Sequence, residues 1–111
     1  MKRISTKRAK ATQISTAVKK TVYERDNGLC VVCGRVGSPN AHYIRRSQGG
    51  LGIEENIVTL CHECHRRFDQ GGGDTAIEIG NRVRKYLESH YSDWNEEDLV
   101  YKKYGGGING I

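Results

Sequence analysis

Residues 40–69 read NAHYIRRSQGGLGIEENIVTLCHECHRRFD, and this stretch decides how the rest of the 111-residue chain is understood. It contains three of the four histidines and two of the four cysteines. Ala41 to Ile44 has the character of a short strand, and Ile57 to Leu60 reads as its partner. Between them Gly49, Gly50 and Gly52 predict a mobile or sharply turned loop, because glycine reaches backbone conformations closed to other residues. Cys61 to Cys64 forms a knuckle from which a helix is expected to run to about Gln70. Gly71, Gly72 and Gly73 then end that helix. The order is strand, loop, strand, helix.

The second cysteine pair has a counterpart upstream in Cys30-Val-Val-Cys33, followed by Gly34, which permits the tight turn of a zinc knuckle. Four cysteines allow either disulfides or a metal site. Two C-x-x-C pairs in turn-forming surroundings favour one tetrahedral zinc, with Cys30, Cys33, Cys61 and Cys64 as ligands. A closed set of four thiolates leaves no vacant position for a substrate, so such an ion holds the fold and takes no part in chemistry. The composition agrees. Hydrophobic residues are 36% of the chain and glycines number 14, so the core is small and an added staple is expected.

Outward from this unit, residues 1–14 are basic and without clear periodicity and read as a flexible arm. Ser15 or Thr16 is expected to cap a helix reaching about Asp26, with Val18 and Val22 on one face and Asn27-Gly28 as its stop. Asp74 is the expected cap of a helix from Thr75 to about His90, with Ala76, Gly80, Val83 and Leu87 at helical spacing. Ser92 or Asn95 would start a last helix through Lys103, and residues 105–111 read as a disordered tail. The organisation expected is therefore arm (1–14), core (15–70), C-terminal helical extension (71–104) and tail (105–111). No apolar run is long enough for a membrane span, and no signal-peptide core is evident, which predicts a cytoplasmic protein.

The formal net charge is +5. Lys2, Arg3, Lys7, Arg8, Lys10, Lys19 and Lys20 fall in the first twenty residues without an acidic residue among them. Such a front half suits a polyanion, since lysine and arginine release counterions condensed on phosphates. A solvated, solubilising tail has the same composition, so charge alone identifies no activity.

The combination of C-x-x-C, then His42-Tyr-Ile-x-Arg-Ser-x-Gly-Gly, then Glu55-Asn56-x-x-x-Leu-Cys-x-x-Cys-His65 resembles a zinc-containing HNH endonuclease of the small phage or bacterial type. The resemblance covers roughly Thr21 to Asp69. It implies an α+β fold: a small zinc-stapled domain with a ββα-metal (His-Me finger) hairpin-helix core and flanking helices. It also implies that His42 is the general base, that Asn56 ties the loop and orients that base, and that His65 binds a catalytic divalent ion. A neutral imidazole can take a proton from attacking water at neutral pH. Asp69, one turn beyond His65, is the expected second ligand, and an imidazole with a carboxylate suits Mg²⁺, Mn²⁺ or a similar ion. The family commonly carries an acidic residue or histidine just before the base, where this chain has Ala41; water and a substrate phosphate would then complete the coordination. Arg45, Arg46, Arg66, Arg67, Lys19 and Lys20 are the candidate DNA-backbone contacts. His62 and His90 receive no role.

The sequence thus points to a metal-dependent DNA endonuclease that hydrolyses phosphodiester bonds. The second reading is a non-catalytic, zinc-bound DNA-binding or adaptor module, and the third a protein-interaction module with little affinity for nucleic acid. Members of the family also occur beside phage DNA-packaging proteins, which makes these candidate partners by resemblance alone. Oligomeric state is not encoded in any motif found.

Overall fold

The computed structural model describes residues 7–102. Lys2, Arg3, the rest of residues 1–6, Lys103, Tyr104 and the expected tail at 105–111 lie outside the described residues. The fold is α+β: helices α1 (Lys7–Thr12) and α2 (Thr16–Asp26), strands β1 (Ser38–His42) and β2 (Ile57–Leu60), then helices α3 (His62–Gln70) and α4 (Gly73–His90). The expected flexible arm is corrected at residues 7–12, which are helical. Six residues are too few to hold a helix by themselves. Tertiary contacts hold this one, and Thr12 at its end is only 3% exposed.

Ser15 caps α2 by accepting a hydrogen bond from the Val18 amide at 3.1 Å, and Asn27 ends it in the left-handed conformation at φ 58°. The hairpin is antiparallel, with Ala41 opposite Val58 and His42 opposite Ile57, and an irregularity between Ser38 and Ala41. β2 occupies the expected residues. β1 ends at His42, two residues earlier than expected, because the amide and carbonyl of Ile44 are both taken by the Asn56 side chain.

β2 is buried at every position, and α2 packs on both strands while α3 packs on α4. α4 presents Ile79, Val83 and Leu87 to this core. It begins at Gly73, earlier than expected, so Asp74 lies in its first turn and Gly72 precedes it. The helix expected near the C-terminus is a single 3-10 turn, Glu96–Leu99, started by the Asn95 side chain accepting from the Glu97 amide. The segment after it runs beside the glycine loop: Leu51 N–H donates to Leu99 O at 2.8 Å and Tyr101 N–H to Gly49 O at 2.8 Å.

A buried ionic tie crosses these elements. Arg25 forms a two-pronged pair with Asp26 (2.6 and 3.0 Å) and also donates to the carbonyls of Glu54 and Ile57, each at 2.8 Å. Asp26 in turn accepts from the Thr59 amide at 2.9 Å and from the Tyr86 hydroxyl on α4. Burial pushes the Asp26 carboxyl up, but hydrogen bonds from Arg25 and Tyr86 and the Arg25 charge outweigh it and hold it below the usual carboxylate value. Asp26→Asn leaves Arg25 buried without its countercharge, and the expected loss is about 3 kcal/mol in urea unfolding at pH 7. The stabilisation from a depressed carboxyl is complete above the unfolded-state pKa and disappears as pH falls through the lower native one. The gap between wild type and variant should therefore narrow in acid; a constant gap down to pH 2 would contradict this account.

Candidate metal centre and active cleft

Cys30, Cys33, Cys61 and Cys64 converge, with all four sulfurs within 4.8 Å of one another and 3.5 Å between Cys33 and Cys61. In a tetrahedron with Zn–S bonds of about 2.3 Å the sulfurs stand roughly 3.8 Å apart, a spacing that lies between the 3.5 Å of the Cys33–Cys61 pair and the 4.8 Å bound, so only small shifts of the sulfurs are needed. Local structure prepares it. Gly34, at φ 82°, returns its amide to Cys30 O at 2.9 Å and closes the first knuckle. The Val31 amide donates to Thr59 O at 3.0 Å, tying that knuckle to β2. Cys61 is the N-cap of α3, its sulfur accepting from the Cys64 amide at 3.4 Å. Among the described residues this is the sole group of three or more metal-ligating side chains drawn together. Its four soft donors suit a structural zinc.

A second site opens beside the hairpin. An open cleft of about 280 Å³ is lined by Asn40, His42, Arg45, Arg46, Ser47, His65 and Asp69. His65 Nε2 and Asp69 Oδ2, one turn apart on α3, are separated by 3.1 Å. Neighbouring ligands on an octahedral Mg²⁺-sized ion, with bonds of about 2.1 Å, lie roughly 3 Å apart, so this pair matches one edge of such a polyhedron. Two arginines against a single carboxylate leave the cleft net positive, which favours anions.

His42 is half-buried, and its Nε2 lies 2.8 Å from the carbonyl oxygen of Thr12. Burial lowers its pKa, the Thr12 bond opposes this, and the Arg46 charge lowers it further; the outcome is below the ordinary histidine value. The shift favours the neutral ring. Asn56 is fully buried and fixes the loop: Oδ1 accepts from the Ile44 amide at 2.8 Å, while Nδ2 donates to Leu51 O at 2.8 Å and Ile44 O at 3.2 Å. The ring of His42 is held by Thr12, so Asn56 acts on the loop and not on the imidazole directly.

The expected backbone contacts divide. Arg45 and Arg46 line the cleft, Arg45 anchored to Phe68 O at 3.0 Å and Arg46 to the Thr12 hydroxyl at 3.2 Å. Arg66 and Arg67 are outside its lining and both pair with Glu63 on α3. Lys19 and Lys20 are exposed on α2, Lys20 paired with Glu24 at 2.7 Å.

Sequence reasoning missed Asn40 and Thr12. Asn40 stands two residues before His42, the spacing that brings side chains to one face of a strand, so the pattern did carry it. Nothing in the local sequence marked Thr12. Ala41, at the position where the family commonly has a ligand, is fully buried against the hairpin core opposite Val58. Ala41→Asp should consequently fail to add a ligand: an unpaired carboxylate in that position is expected to cost about 3 kcal/mol or more. Manganese titration calorimetry should show no gain in affinity; a tighter site in the variant would refute this.

A family profile described as HNH endonuclease matches residues 30–70. Anaredoxin from Nostoc sp. (strain PCC 7120 / SAG 25.82 / UTEX 2576) is 36% identical over 55 residues, which is 48% of this chain and 72% of that protein. With the hairpin, the helix and the thiolate cluster in place, the chain belongs to the HNH endonuclease family. The family is one of nucleases acting on DNA. Among the described residues no helix is long and apolar enough to cross a membrane.

Proposed function

We propose that this protein is a metal-dependent endonuclease that hydrolyses phosphodiester bonds in DNA. One observation carries the reading: a neutral imidazole, His42, shares a cationic cleft with a His65–Asp69 pair spaced for one divalent ion. When bound there, Mg²⁺ or Mn²⁺ would supply Lewis-acid stabilisation to the departing 3′ oxygen. His65 and Asp69 would hold it. His42 takes a proton from water as the water oxygen bonds to phosphorus; the P–O3′ bond breaks, and the leaving oxygen collects a proton from solvent. Arg45 and Arg46 grip the non-bridging phosphate oxygens, and Asn56 keeps the loop that carries them in place. Lys19, Lys20 and the cations of α1 would bind backbone, which predicts weak sequence preference and strong salt dependence. A thiolate-held zinc suits a reducing compartment, so we place the protein in the cytoplasm of a bacterium or, if phage-encoded, of its host.

The test is relaxation of supercoiled plasmid with Mg²⁺ or Mn²⁺, with and without chelator, alongside retention on DNA resin. Nicked or linear product from wild type, absent from His42→Ala with retention kept, supports the enzyme. Intact plasmid under every ion, with DNA still retained, would assign the protein to the adaptor reading instead.

A further inference from the structure

The last four carbonyls of any α-helix have no partner within it. In α1 those belong to Ala9, Lys10, Ala11 and Thr12, and each is satisfied. The Thr12 hydroxyl reaches Ala9 O at 3.3 Å and the Gln13 amide reaches Lys10 O at 3.3 Å. The remaining two are met from the hairpin side: the Gly52 amide donates to Ala11 O at 2.9 Å, and His42 Nε2 lies 2.8 Å from Thr12 O. Two arginines complete the dock, Arg46 on the Thr12 hydroxyl and Arg8 on Ser47 O at 3.0 Å. The approach is close, since a Cβ on Gly52 would fall 2.1 Å from Gln13 O. All of α1 lies upstream of the residues that match the family profile.

A carbonyl oxygen only accepts hydrogen bonds, so the imidazole nitrogen facing it must carry the proton. We propose that α1 is a working part of the cleft: its terminal carbonyl, on Thr12, fixes His42 as the tautomer protonated on Nε2, leaving the Nδ1 lone pair for the attacking water. Thr12 is thus a positioning residue, acting through its main chain. The same carbonyl stabilises the imidazolium formed when Nδ1 takes up a proton, because an oxygen dipole already faces the ring. This rests on the nuclease reading for its purpose, but the tautomer and its cause are properties of the free protein.

The experiment is long-range ¹H–¹⁵N correlation NMR of the histidine rings in the zinc-loaded 111-residue chain, for wild type, Gly52→Ala and Ala11→Pro. The first variant pushes the end of α1 away from the loop. The second breaks the helix one residue before the contact, by removing a main-chain donor and adding a ring clash. Wild-type His42 is expected to show a protected Nε2 proton and an unprotonated Nδ1. Both variants should show mixed tautomers and rapid Nε2 proton exchange, with zinc content unchanged and a loss of helical dichroism no larger than the six residues of α1. Plasmid nicking should fall about 10- to 100-fold, in kcat and not in DNA affinity. A wild-type ring protonated on Nδ1, or the wild-type signature preserved in both variants, overturns the proposal. If both variants lose their fold, the wild-type tautomer alone decides. Should wild type show the expected tautomer yet leave plasmid intact, the nuclease reading fails while the positioning of the ring by α1 stands.

Discussion

Removal of zinc by a strong chelator is expected to abolish the cooperative thermal transition and most of the helical dichroism, and zinc should restore both. The core explains why. Its buried members outside the cysteines are few, and the segment that unites them, from β2 into α3, is pinned at Cys61 and Cys64. Cys30 and Cys33 bring the preceding loop to the same point, where Val31 bonds to β2. Without an ion the four sulfurs crowd within 4.8 Å with nothing to bind, and ionised thiolates would repel. Structural zinc contributes about 10–16 kcal/mol of apparent binding free energy in small zinc-finger peptides, comparable to the whole stability of an ordinary domain. Cys61→Ser should behave like the stripped protein, since that residue both ligates and caps α3. Elemental analysis should find one zinc per wild-type chain and far less in the variant. A melting curve unaffected by verified loss of zinc would remove the thiolate cluster from its place in this account.

His42→Ala is expected to lower plasmid nicking by roughly 10²- to 10⁴-fold, the usual contribution of a positioned general base. Stability should change little, by about 1 kcal/mol, as one hydrogen bond to Thr12 is lost at a half-buried position. DNA retention should persist because Arg45, Arg46 and the lysines are untouched. The pH profile gives an independent check. The proposed role as base requires the neutral ring, and burial with the Arg46 charge keeps its pKa below the ordinary histidine value. The rate should therefore stay level through neutral pH and decline only as pH falls through that lowered value. A wild-type acid limb centred well above 6.5, or nicking retained in the variant, would mean another group accepts the proton.

The features legible in the sequence were those with local signatures. The C-x-x-C pairs announced that the four cysteines converge because ligand spacing is a local constraint, and β2 was marked by its run of apolar and β-branched residues. Ser15, Asn27 and the glycines before α4 carried recognisable end signals. What escaped was set by contacts across the chain. α1 is a short basic segment without periodicity, and only the hairpin loop makes it helical. β1 stops early because a side chain fourteen residues beyond His42, Asn56, takes over the hydrogen bonds of Ile44. The Arg25–Asp26 tie looks like an ordinary charged helix end until β2 and α4 close over it. The cleft itself was inferred from resemblance; Asn40 and the Thr12 carbonyl belong to it through geometry that no motif describes.

α3 carries consequences at both of its ends. Cys64 and His65 are consecutive, so the thiolate cluster and the His65–Asp69 pair are offset by about 100° of helical rotation along one unbroken rod. No hinge separates them. Whatever seats the first turn of this helix also sets the bearing of His65 and Asp69 further along it, so the thiolate cluster serves the cleft as a rotational stop.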